Sequence, residues 1–317
     1  MRVGLFTDGL AELSRGEALT WCAERGILDL EMGVGSWSPR PHLDLDALLR
    51  EPSQRDRLLG ELRGAGCRLA AVNAAGNPLH PEPGAREDAQ ARLRGAVELA
   101  ALVGCSTVVT MSGCPGTRSG GTIGAFGVWS VSADDEGLWT WQIDQVVTPW
   151  WTEFSRWAAE AAPGVSICLE LHPGLTVFGV EGFQRLRRGA GANIQVNLDP
   201  SHFWWQGVDP ALVAEALAGS IGHAHGKDTT IYPERVALHG VLDPRGHEGA
   251  ADGAWHFSAC GQGRGITEWT RLLEALRRSG YDGVMAIEHE DPLLAPLASI
   301  EASARALADA GCEIGAP

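Results

Sequence analysis

One periodicity constrains this chain more than any other feature. Short apolar runs recur, and each is followed by a stretch whose apolar residues return every three or four positions. The runs are RVGLF (2–6), ILDLEM (27–32), RLAAVN (68–73), STVVTM (106–111), VSICLEL (165–171), NIQVNLD (193–199), SIGHAH (220–225) and VMAIEH (284–289). The helical stretches fall at 10–25, 54–65, 85–103, 145–162, 180–189, 209–219, 267–279 and 295–310, with AVELAALV and WTRLLEAL as examples of the pattern. Gly26, Gly66, Gly104, Gly164 and Gly280 stand where a helix should stop before the next strand. Eight such units predict a closed parallel sheet ringed by helices, a single (β/α)8 TIM barrel over residues 1–317. A doubly wound open sheet is the alternative. It calls for a GxGxxG after the first strand, which is missing, and the GQGRG at 261–265 follows a long loop instead.

Two connections are long: residues 112–144 after strand four, rich in glycine and tryptophan, and residues 226–265 after strand seven. Loops at the C-terminal ends of barrel strands build the pocket in this architecture. The formal charge of −15 argues against a nucleic-acid binder, which needs a basic stripe, and against an anionic membrane surface. No apolar run approaches about 18 residues and the N-terminus has no signal-peptide core, so a soluble cytoplasmic protein is expected. Seven cysteines, odd in number and without CxxC spacing, read as reduced core residues.

The last four strands finish in ionisable residues. Strand five ends LELHPG, with Glu170 and His172. Strand six ends NLDPSH, with Asp199 and His202. Strand seven ends HAHGKD, and strand eight ends IEHEDP, with Glu288 and Glu290. Parallel barrel strands are buried on both faces, and a carboxylate there is costly unless paired or bound to metal. One such residue is unremarkable, but four successive strands with one at the same end point to a site. Three carboxylates and an imidazole form a hard, mostly oxygen shell suited to one Mn²⁺, with Mg²⁺ or Co²⁺ as alternatives and zinc less suited. Two-residue alternation places His223 beside His225 and Glu288 beside Glu290, so either member of each pair can face the ion.

Lys227 is the single lysine in a chain with 24 arginines. A solvated lysine is readily replaced by arginine, whereas a site that needs a compact, rotatable ammonium cannot accept a planar fork. Lys227 is therefore a candidate for contact with substrate oxygen, or for holding a neighbouring carboxylate ionised.

The segments ELHPG, NLDPSHFWWQG, HAHGKDT, ALHGVLDPR and IEHEDP, with GCPG at 113–116, carry a family resemblance. The chain resembles the xylose-isomerase-like sugar isomerase/epimerase family of TIM barrels over essentially its whole length, most strongly from Glu170 onward. The resemblance implies a divalent metal held by Glu170, Asp199, His225 and Glu288. Glu170 and Glu288 would serve as acid and base on opposite substrate faces, and His202 would bond substrate oxygen. The implied reaction is isomerisation or epimerisation of a carbohydrate, by proton abstraction next to a carbonyl through an enediolate that the metal stabilises. His172, Lys227 and Trp129 complete the substrate-contact candidates. GAWHFSACGQG departs from the pattern: Ala254 and Ser258 stand in the region where the subgroup has arginines. That weakens the case for a phosphorylated substrate and leaves Arg245 and Arg264 as substitutes.

The alternative reading is a lyase or C-deglycosidase that eliminates the aglycone of a 3-oxo-glycoside. Relatives of that type work with a small second subunit, and Trp129, Trp139 and Trp141 would suit an aromatic aglycone. A homo-oligomer is also in keeping with the family. An endonuclease-IV-type nuclease needs histidines on strands three and four; only His80 is available there. A non-catalytic sugar-binding barrel would need no intact metal shell.

Overall fold

A computed structural model describes residues 1–125, 127–128, 136–249 and 251–315. The chain falls into two compact units. Met1–Glu31, Gly60–Ala70 and Leu198–Pro317 form one; Met32–Leu59 and Ala71–Asn197 form the other. The barrel strands are β1 (Arg2–Phe6), β2 (Asp29–Gly33), β3 (Arg68–Asn73), β4 (Thr107–Met111), β5 (Ser166–Glu170), β6 (Ile194–Leu198), β7 (Ile221–Gly226) and β10 (Val284–Ile287). They close in the order β1-β10-β7-β6-β5-β4-β3-β2, with helices between successive strands: a parallel (β/α)8 barrel. In the first unit Gly4 pairs with Asp29 and with Ala286, and Met285 pairs with Ala224. In the second, Met111 pairs with Glu170, and Glu170 with Asn197.

The helices follow their sequence signals. Pro83–Val103 starts at Glu82, whose carboxylate accepts the Gly84 and Ala85 amides. It stops at Gly104, whose φ of 73° lies in the left-handed region open to glycine. Ile266–Arg278 buries Trp269, Leu272, Leu273 and Leu276 along one face, with Glu268 in its first turn and Arg277 and Arg278 in its last. All seven cysteines are buried, and none is in a disulfide. Burial pushes the Cys114 thiol up to about 11 and raises Cys260 as well, so both stay protonated. No helix of the described residues is long and apolar enough to cross a membrane.

Both long connections contain more structure than their composition signals. Within 112–144, Leu138–Trp141 is helical and continues through a π-helical turn, Gln142–Val147, into Thr148–Ala161. The 226–265 excursion holds a hairpin of β8 (Asp228–Ile231) and β9 (Trp255–Ser258), with short helices at Pro233–His239 and Pro244–His247. Four-residue strands sit at the lower limit at which alternation can be read, and neither DTTI nor WHFS forms an apolar run.

Asp228 fastens this excursion to the barrel. Its buried carboxylate accepts Thr229 N, Gly261 N, Arg264 N and Trp269 Nε1 at 2.7–3.0 Å. Gly263 packs so closely that a Cβ there would stand 2.2 Å from the Thr229 carbonyl oxygen. Burial pushes the Asp228 carboxyl up to about 6, against the pull of its four donors. The folded state thus keeps a proton that the unfolded chain releases from about pH 4. Stability from this group is present at low pH and is lost as pH rises to about 6. In denaturant titrations, the unfolding free energy of the wild type relative to Asp228→Asn should fall by up to about 3 kcal/mol between pH 4 and 6. A difference independent of pH would count against this assignment.

Candidate active site

In the first unit, β7 presents His223 and His225 toward one carboxylate, as two-residue alternation allows. His223 Nε2 lies 2.7 Å from Glu31 Oε2, and His225 Nε2 lies 3.3 and 3.2 Å from Oε1 and Oε2. The two rings meet edge-on at 5.7 Å, and Phe6 stacks on His225 at 6.3 Å. Glu31 sits in β2 and is wholly buried. Burial alone would raise its carboxyl. The imidazoles of His225 and His223, with their hydrogen bonds, override that and hold it well below the usual carboxylate range.

The other ring nitrogen of His225, Nδ1, lies 3.2 Å from Glu288 Oε2. Glu288 follows β10, and its amide donates to the Gly226 carbonyl at 3.2 Å, which joins the ends of β10 and β7. Lys227 is only 2% exposed. Its Nζ stands 2.6 Å from Glu288 Oε2, 2.9 Å from Glu290 Oε2 and 3.0 Å from Asp199 Oδ2. The Phe257 ring centroid is 4.8 Å away. Asp199 Oδ1 accepts the Ser201 amide at 2.9 Å, while Oδ2 lies 3.4 Å from His202 Nε2. His202 is buried and packs edge-on against Phe257 at 5.5 Å.

In the second unit, Glu170 closes β5 and is buried. Its Oε2 accepts Asn197 Nδ2 at 3.1 Å. His172, two residues on, is half-buried, and its Nδ1 accepts the Gly174 amide at 3.0 Å within a turn. Trp129 lies outside the described residues.

In the first unit Asp199, His225 and Glu288 each offer one ligand atom, and these atoms lie within 4.8 Å of one another. Glu31, His223 and His225 meet the same description. As donors, three carboxylates and one imidazole, counting Glu170 of the second unit, are of the chemistry that fits a divalent cation. Glu290 is exposed at the rim and outside that group.

Glu31, Asn197 and Phe257 were not legible as site residues. Glu31 had a usable signal, a carboxylate inside the apolar run ILDLEM. The two arginine-replacing positions are now explained locally. Ala254 is fully buried in a cluster with Trp255 and Phe257, against which Trp205, Ile231 and Val236 pack. Ser258 is buried and its hydroxyl accepts Thr230 Oγ1 at 3.0 Å. Arg245 is committed to Asp243 and Asp252 at 2.8 and 2.9 Å. Arg264 uses its amide on Asp228 and sets its guanidinium 5.8 Å from the Trp204 ring. His80 accepts the Glu82 amide on Nδ1, a turn contact.

Comparison with known proteins adds a family to this geometry. A Bacillus subtilis (strain 168) protein, described as uncharacterized protein YfiH, is 33% identical over 309 residues, 97% of this chain and 98% of its own. Among solved structures, the probable 3-DHS dehydratase AsbF from Bacillus anthracis superposes with a TM-score of 0.67 at 16% identity, covering 97% of this chain and 99% of its own. IOLI, a protein with a bound zinc atom, gives 0.66 at 20% identity over 98% of both chains. An L-ribulose 3-epimerase gives 0.60 at 16% identity, covering 98% of this chain and 95% of its own. Residues 19–310 match the family described as xylose isomerase-like TIM barrel, and the chain belongs to that family.

Proposed function

We propose that this protein is a divalent-metal-dependent carbohydrate isomerase or epimerase. The observation that carries the reading is the cluster of Asp199, His225 and Glu288 in the first unit, whose ligand atoms lie within 4.8 Å of one another; Glu170 at the end of β5 is proposed as the fourth ligand. Fold relatives named as an L-ribulose 3-epimerase and a D-tagatose 3-epimerase-like protein support it. These four residues would hold the ion. The oxygen-rich donor set suits Mn²⁺, although IOLI carries zinc. A bound divalent cation supplies charge that polarises a substrate carbonyl and offsets the negative charge growing on its oxygen.

The chain's own residues do the rest. Glu170 takes the proton from the carbon next to the carbonyl, and the freed electron pair moves into the new C=C bond. Glu288 delivers a proton from the opposite face. Return to the same carbon inverts it; return to the former carbonyl carbon, with loss of the neighbouring hydroxyl proton, moves the carbonyl. His202 orients a substrate oxygen, with Phe257 fixing its ring. Lys227 pairs with Asp199 and Glu288 and adds fixed positive charge beside the developing enolate.

A second reading has one specific observation behind it. In the second unit a cavity of about 370 Å³ is lined by Val128, Trp139, Phe178 and Val180, an apolar and aromatic surface fit for an aglycone. The same proton abstraction, followed by departure of a group one carbon further on, gives the deglycosidase. AsbF is named a dehydratase, so elimination has a precedent by name on this fold.

One assay tests both. Metal-replete protein is incubated in D₂O with ketoses and with 3-oxo-glucosides, beside a chelated control, and followed by NMR. Metal-dependent deuterium at a carbon next to the carbonyl is expected, with Glu170→Gln and Glu288→Gln each slowing exchange about 10²–10⁴-fold. Aglycone release would move the assignment to the lyase, and no exchange or release with either substrate class would sink it. Lys227→Arg should lower turnover about 10²-fold, because a planar fork displaces the carboxylates that the ammonium bridges. Unchanged turnover would remove Lys227 from the mechanism.

A further inference from the structure

His225 belongs to both ligand-capable groups, and its two ring nitrogens face opposite ways. Nδ1 is 3.2 Å from Glu288 Oε2, on the side of Asp199 and Lys227. Nε2 is 3.2 Å from Glu31 Oε2, an oxygen that also lies 2.7 Å from His223 Nε2. We infer that Glu31 is a positioning residue: it accepts the Nε2 proton of His225, fixes the ring's tautomer and orientation, and so presents Nδ1 as the ligand atom. This deepens the metal-centre reading proposed above and rests on it.

The physical argument has three parts. A neutral imidazole carries one N–H and one lone pair, so the hydrogen bond made by one nitrogen decides what the other offers. A wholly buried carboxylate whose two oxygens lie 3.3 and 3.2 Å from Nε2 is placed as its acceptor, and it favours the tautomer with hydrogen on Nε2. Ligating histidines commonly lean on such a carboxylate, which raises their basicity toward the ion. His223 completes the arrangement by donating to Oε2, so the Glu31 carboxylate is itself held in place. Phe6, stacked at 6.3 Å and nearly parallel to the His225 ring, limits its tilt.

The same three residues are ligand-capable as a set, so a second ion between them is the competing arrangement. The 2.7 Å separation of His223 Nε2 from Glu31 Oε2 favours a shared proton. That is ordinary hydrogen-bond length, and two donors about 2.0–2.2 Å from one metal ion normally stand further apart.

The test is titration of Mn²⁺ into metal-stripped wild type, Glu31→Gln, Glu31→Asp and His223→Gln by calorimetry, with the metal-free melting curve of each. One ion per chain is expected in the wild type. Glu31→Gln is expected to bind the same single ion about 10–100-fold more weakly, because glutamine both donates and accepts and no longer selects one tautomer. Glu31→Asp keeps the charge and should recover part of the loss. His223→Gln leaves every ligand in place and should weaken binding less, in the same direction; it carries the test if Glu31→Gln does not fold. A merely structural Glu31 would lower the melting curve and leave the affinity of the folded protein alone, and that result overturns the inference. So does a wild type that binds two ions of which Glu31→Gln loses one, since Glu31 is then a ligand. A wild type that binds no ion removes the metal centre itself, and with it the role of Glu31.

Discussion

Ionised carboxylates held out of water need positive charge within reach, and the site is organised around that requirement. Lys227 meets it in the first unit. One ammonium, almost fully buried, stands within 3.0 Å of oxygens from Asp199, Glu288 and Glu290. Three acceptors arranged around a point suit a head with three rotatable donors, whereas a guanidinium presents its donors in one plane. That explains how a chain with 24 arginines comes to keep one lysine, and where it keeps it. Glu290 reaches the ammonium from the solvent side, so the ion pair bridges rim and interior.

Three residues of the HGKD segment meet at Glu288, and the fourth turns elsewhere. His225 divides its ring nitrogens between Glu31 and Glu288. The Gly226 carbonyl receives the Glu288 amide, and a side chain at Gly226 would come within 3.1 Å of Leu307. Lys227 gathers the acids. Asp228 turns away and clamps Gly261, Arg264 and Trp269. Four consecutive residues thus tie a strand end, a charged cluster and an excursion of the chain to one another.

The barrel was legible because a repeated strand–helix period is an averaged signal, robust to the odd polar residue. All five stop glycines take positive φ; β1 and β3 keep the bounds read from the sequence, and the edges of the other strands differ by at most two residues. The hairpin at 228–231 and 255–258 was not legible, since DTTI and WHFS sit at the lower limit of length and neither forms an apolar run. The candidate site was half legible. Carboxylates and histidines at the ends of strands five to eight could be counted, but Glu31 in β2 could not be ranked. Asp29 lies two residues earlier in the same run and is equally buried, yet it pairs with Arg2 and Arg68. Sequence shows that a strand carries an acid; only packing shows whether the acid faces two arginines or two imidazoles.

Glu31 and its two histidines also differ in when they can meet. They are 192 and 194 positions apart in the chain, among the longest separations joined by a hydrogen bond here. Contacts between residues so distant cost the most loop entropy and form late, after local strand–helix units have condensed. During synthesis, Glu31 leaves the ribosome long before these histidines exist, and its carboxylate cannot meet either imidazole until β7 arrives. The imidazole pair is thus a lock that closes only once the chain has reached β7, and a fragment ending before residue 223 would keep Glu31 without either imidazole.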